Sequence, residues 1–195
     1  MRQTRRSDER VFPMAEKVAE KNVLAIVGSL RKASVNRQLA EAAAEHAPAG
    51  VSVTIYEGLA DLPHYNEDID GESAPAAAEA LRAAVAGADA VLLVSPENNG
   101  TISSSLKNAI DWLSRPFGSS VFKGKPTVVI GTSAGRYGGI WAIDETRKAA
   151  GIATANVLED VKLAVPSSAF DGKHPREHAE TVAELTKALD ALTTA

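Results

Sequence analysis

Cysteine is missing from the chain altogether. Its absence excludes disulfides, thiolate metal sites and cysteine nucleophiles, and it fits a reducing cytoplasm. Aromatic residues are scarce, at 5% of the sequence, so alanine and aliphatic side chains must build most of the core. Long apolar runs are also lacking: none approaches the roughly 18–20 residues that span a bilayer. The opening "MRQTRRSDERVFPMAEKVAEKN" has basic residues but no apolar centre, so it is not a secretory signal. Nor is positive charge in excess. A formal net charge of -4 provides no general attraction for nucleic acid or an anionic membrane, so an anionic ligand needs a local site.

What remains is an ordinary globular composition, 45% hydrophobic and 24% charged over 195 residues, enough for one domain with a continuous core. Residues 1–21 are expected to be a disordered leader, or an extension upstream of a start at Met14. Residues 22–195 form the domain. Apolar, β-branched runs predict strands at Asn22–Gly28, Val51–Glu57, Asp89–Ser95, Pro126–Thr132 and near Thr154–Leu158. Amphipathic stretches predict helices near Ser34–His46, Ala74–Ala86, Ile102–Ser114, Gly139–Ala150 and Pro175–Leu192. The alternation predicts an α/β doubly wound parallel sheet, in which ligands gather outside the carboxyl ends of the strands.

Three unusual loops fall at that edge. In "VGSLRKASVNRQLAEAAAEH", Gly28 permits a tight turn, Ser29 and Ser34 offer hydroxyls, Arg31 offers charge-assisted bonds and Asn36 a carboxamide in the helix's first turn. Together they suit a phosphate cradle. The same residues also suit a plain helix start with Ser34 as N-cap and Arg31 solvated. The loop lacks both the GxGxxG dinucleotide pattern and the terminal GK[ST] of a Walker loop. The second loop, "SPENNGTISSSLKNAIDWLSRP", carries Asn98-Asn99-Gly100, residues tolerant of positive φ, and no nucleophile–base pair. In the third, "GTSAGRYGG", glycines permit close backbone approach and Tyr137 can cover a flat ligand. Lys107 and Asp111 suit an i,i+4 pair, and Trp112 on their helix suits either the core or a subunit contact. "HPREH" (His174–His178) matches the inverted zinc-peptidase pattern, but Pro175 at a first helical position leaves His174 off the helix, so no metal site is expected.

Taken in order, "GSLRKASVNRQLA", "LPHYNEDI", "PENNGTISSSLKNAIDWLSRP" and "GTSAGRYGG" resemble the NADPH-dependent FMN reductase family, which includes bacterial quinone and chromate reductases. The resemblance spans roughly Asn22 to Leu192. It implies a flavodoxin-like three-layer sandwich with a five-stranded parallel sheet of order 2-1-3-4-5, bound FMN, NADPH or NADH as donor, and a homodimer or homotetramer. By the resemblance, Ser29, Arg31, Ser34 and Asn36 match phosphate-binding positions. Pro96, Glu97, Asn98, Asn99 and Gly100 match the flavin-ring loop, and Ser133, Gly135 and Arg136 lie in the third loop, with Arg136 a candidate contact for the extra phosphate of NADPH. Family members commonly read PEYN where this chain has Pro96-Glu97-Asn98-Asn99, and Pro-Gly where it has Ser103-Ser104. Asn98 thus removes an aromatic contact near the ring.

The resulting expectation is a cytoplasmic NAD(P)H-dependent flavin oxidoreductase that passes electrons through FMN to a quinone, free flavin or other small acceptor. The flavin, not a side chain, carries the chemistry. The alternative is a non-catalytic FMN-binding sensor or electron carrier.

Overall fold

Strand β1 (Lys21–Val27) alternates its apolar side chains between two buried layers, Leu24 and Ile26 on one face and Val23, Ala25 and Val27 on the other. A strand buried on both faces belongs at the centre of a covered parallel sheet. The computed structural model describes residues 20–71 and 74–195. The expected leader lies outside the described residues except for its last two positions, and β1 already begins at Lys21, paired with Val51.

The chain continues through α1 (Val35–Glu45), β2 (Val51–Ile55), α2 (Ala76–Gly87), β3 (Ala90–Val94), a small hairpin of β4 (Glu97–Asn98) and β5 (Thr101–Ile102), and α3 (Ser104–Leu113). It ends with β6 (Pro126–Ser133), α4 (Ile140–Ile152), β7 (Asn156–Pro166) and α5 (Ala179–Thr194). Five strands form one parallel sheet in the order β2-β1-β3-β6-β7. Counting only those strands, the order is 2-1-3-4-5, the flavodoxin-like arrangement. Helices α2, α3 and α4 cover one face around Leu81, Val85, Leu106 and Ile143. Helices α1 and α5 cover the other through Leu39, Leu185, Leu189 and Leu192.

The structure corrects the expected elements in two places. Strand β7 runs on to Pro166, beyond the expected Leu158, because a register shift between Thr127 and Val129 accommodates the charged Glu159 and Asp160. An edge strand tolerates such a bulge, and Arg147 of α4 secures it, donating to the Val161 carbonyl at 2.8 Å and pairing with Glu159. The terminal helix is split. Pro175 opens a separate short 3₁₀ turn, and His178 caps α5 by accepting from the Thr181 amide.

Trp112 is a core residue of the single chain. It is fully buried, its indole N–H donates to the Pro63 carbonyl at 2.8 Å, and its ring meets Tyr65 edge-on at 5.0 Å. Burial of the large ring together with its one donor leaves nothing to present to a partner. Its neighbours Lys107 and Asp111 do form the exposed i,i+4 pair, at 2.6 Å.

Candidate functional site

The first loop leaves the sheet at Gly28, whose amide still donates to the Val94 carbonyl at 2.9 Å. A Cβ here would lie 2.5 Å from Ser103 Oγ and 2.9 Å from Leu106 and Pro96, so only glycine fits between the first and second loops. The Gly28 carbonyl accepts two hydroxyls, Ser103 at 3.0 Å and Ser105 at 2.6 Å. Ser34 is buried in extended backbone as the N-cap of α1, where its oxygen faces the Arg37 amide at 3.4 Å. Asn36 is also buried. Its carboxamide donates to the Thr132 carbonyl at 2.9 Å and accepts from the Thr132 amide at 3.0 Å. The first loop is thereby fastened to the end of β6, while Arg31 stays exposed and has no ion-pair partner among the described residues.

The second loop is a hairpin. Asn99 (φ 54°) and Gly100 (φ 73°) take its two central positions, where the Asn-Gly pair tolerates the positive φ of a type I′ turn. Two carboxylates dock it on α4: Glu97 accepts from the Ala142 amide at 3.3 Å, and Glu145 accepts from the Thr101 hydroxyl. In the third loop Ser133 Oγ accepts from the Gly135 amide at 3.1 Å, and Gly139, with φ 91°, caps α4.

All three loops open on one cavity of about 640 Å³, a size suited to a cofactor. Ser29, Arg31, Ser34 and Asn36 line it from the first loop; Pro96, Glu97 and Asn98 line it from the second, and Ser133 from the third. Asn99, Gly100, Gly135 and Arg136 stand outside the lining: the first two form the hairpin tip, and the other two belong to the exposed outer part of the third loop.

The lining also contains residues beyond the sequence expectation, chiefly Ser103, Ser105, Thr132 and Ser167. Ser103 stood out in the sequence as a departure from the family pattern. Ser167 gave no signal, because it follows the part of β7 that the Glu159-Asp160 pair concealed. Among the described residues the lining has one carboxylate, Glu97, and no histidine, lysine or cysteine. Thr132 Oγ1, buried at this wall, has no hydrogen-bond partner within the described residues. The donors outnumber the negative charges, and an α-helix N-terminus lies among them, which is the chemistry of a phosphate-bearing ligand.

The histidines of "HPREH" serve as caps. His174 Nδ1 accepts from the Arg176 amide at 3.2 Å, and its Nε2 lies 3.4 Å from Glu41. Among the described residues no cluster of three or more histidine or acidic side chains is placed to hold a metal, and no helix is long and apolar enough to cross a membrane.

Comparison with known proteins agrees with this geometry. The family model described as NADPH-dependent FMN reductase matches residues 21–170. A quinone reductase of Pseudomonas putida is 46% identical over 127 residues, 65% of this chain and 68% of that protein. A 2-hydroxy-1,4-benzoquinone reductase of a Burkholderia species is 45% identical over 116 residues, 60% of this chain and 62% of its own length. Among solved structures, the flavoenzyme NAD(P)H:(acceptor) oxidoreductase FerB from Paracoccus denitrificans superposes with a TM-score of 0.78 at 30% identity, covering 89% of this chain and 98% of that one.

Proposed function

The chain belongs to the NADPH-dependent FMN reductase family, and on that premise we propose that its three loops hold FMN and that it reduces quinones at the expense of NAD(P)H. FMN held there would supply two-electron redox chemistry between the nicotinamide and the quinone. The protein's part is to bind, orient and stabilise. Arg31, the hydroxyls of Ser29 and Ser34 and the free N–H groups of α1 hold the phosphate dianion. Asn36 acts one step back, keeping the first and third loops at a fixed separation through Thr132.

The hairpin contributes by its backbone. Its N–H groups, fixed by the Asn99-Gly100 turn and the two carboxylate anchors on α4, are preorganised donors for an electron-rich ring. Glu97 is kept from opposing them, since its carboxylate already accepts from the Ala142 amide. The observation that carries this reading is the single cavity, rich in donors and poor in carboxylates, on which all three loops open. The test is the absorbance spectrum and ligand mass of the purified protein, followed by NADPH oxidation with 1,4-benzoquinone. A flavin spectrum, the mass of FMN and quinone-dependent turnover are expected; a colourless protein or a different ligand contradicts the reading.

We also propose a cytoplasmic homodimer or homotetramer. A second cavity of about 420 Å³ lies between α3 and α4, bordered by Phe117 and Ile152, which are 68% and 66% exposed. Both charge signs ring it, with Lys107, Arg115 and Lys148 against Asp111 and Glu145. A patch of that kind complements a second copy of itself across a two-fold axis.

A further inference from the structure

The 640 Å³ cavity has no aromatic side chain among its described lining residues; two exposed aromatic rings stand beside the hairpin and third loop that help to form it. Tyr137 in the third loop and Trp141 in the first turn of α4 are 51% and 54% exposed, with ring centroids 5.4 Å apart. The Trp141 ring lies above the hairpin tip, where a Cβ on Gly100 would be 3.7 Å from it. Trp141 is tied to the cavity wall, since Glu97 holds the amide of Ala142 next to it. Arg136 lies over the Tyr137 ring, 4.9 Å from its centroid, and no carboxylate among the described residues pairs with it.

Resting on the flavin reading above, we propose that Tyr137 and Trp141 form an aromatic ledge that grips the ring of a quinone acceptor, with Arg136 donating to a quinone carbonyl. The chemistry favours this occupant over the oxidised nicotinamide. A quinone ring is electron-poor, so it stacks on the electron-rich indole face, and the Tyr137 ring, tilted 53° to the indole, meets its edge. It is uncharged and has outward carbonyl oxygens suited to guanidinium N–H donors, whereas the cationic oxidised nicotinamide ring would be repelled by Arg136. The ledge adjoins the proposed subunit face, whose Glu145 lies one turn from Trp141 on α4, so the titration is run at several protein concentrations.

Trp141 reports on itself, because the sequence has only two tryptophans and Trp112 is fully buried. The oxidised, FMN-loaded protein without nicotinamide is titrated with 1,4-naphthoquinone while tryptophan emission is followed. Saturable quenching that disappears in Trp141→Phe is expected. In Trp141→Ala, kcat/KM for 1,4-naphthoquinone should fall about fivefold relative to that for ferricyanide, a small acceptor without a ring. Unsaturable quenching, or equal losses for both acceptors, overturns the proposal. So does quenching that weakens as protein concentration and association rise, which assigns the ledge to a second copy, or displacement of the quinone by NADP+ with Trp141 remaining covered. Failure of the flavin reading shows separately, as no FMN uptake and no NADPH oxidation with ferricyanide, and the same naphthoquinone titration of the flavin-free protein then reports the ledge.

Discussion

At the scale of single residues, the cavity separates side chains that are available to a ligand from those already engaged. Arg31 is exposed and unpaired among the described residues, so Arg31→Ala should leave thermal stability unchanged and weaken FMN by about 1.5–3 kcal/mol, the range for a bond to a charged group. Titrating the apoprotein with FMN and riboflavin checks this, since only the phosphorylated ligand should lose affinity. Asn36 is the opposite case. Its type and place near the start of a helix made it look like a ligand donor, but its partner Thr132 lies 96 residues away, a contact that no local pattern reveals. Asn36→Ala leaves a buried amide and carbonyl unpaired, so urea denaturation of the apoprotein should show a loss of about 1–3 kcal/mol. Asn98 lines the cavity, is exposed and has room beside it. Asn98→Tyr should therefore tighten FMN by about 0.5–1.5 kcal/mol, measured by the same titration.

At the scale of elements, strands with uninterrupted apolar centres and helices with regular amphipathic spacing were legible from the sequence. β3 and α1 appear within one or two residues of their expected bounds. Elements in which charge interrupts the pattern were not: the bulge at Glu159-Asp160 hid most of β7, everything after Leu158, and with it the wall residue Ser167. Trp112 belongs to this scale as well, because α3 is held to the loop after β2 through its ring and indole N–H. Trp112→Ala should cost about 3–5 kcal/mol in chemical denaturation, the usual range for emptying a large core site. A second tie joins α1 to the end of β2: Arg37 donates to both carboxylate oxygens of Glu57 at 2.9 and 2.6 Å. Those hydrogen bonds hold the Glu57 carboxyl below its ordinary pKa of 4.5. A depressed folded-state pKa stabilises above the unfolded value and is lost as pH falls through the folded one. Glu57→Gln should thus cost only about 0.2–1 kcal/mol near neutrality, as for an exposed pair. The gap to the unsubstituted protein should narrow as melting is followed downward from pH 4.5.

At the scale of the whole molecule, the doubly wound sheet brings loops from three separate parts of the chain to one edge, and this convergence follows from strand order rather than from any single motif. The loop sequences named the family; the fold explains why they act together. The assembly surface was harder to read, because the conspicuous tryptophan of α3 is internal while the proposed face is bordered by exposed Phe117, in the loop after α3, and Ile152, at the end of α4. Phe117→Asp should shift light scattering toward the monomer without lowering the melting temperature of the separated chain. The central claim is that this protein uses FMN to carry hydride from NADPH to a quinone, and anaerobic titration of the purified protein tests it most directly. The visible flavin absorbance should bleach when NADPH is added and return when 1,4-benzoquinone follows; a flavin that stays oxidised in the presence of both NADPH and NADH would contradict the account.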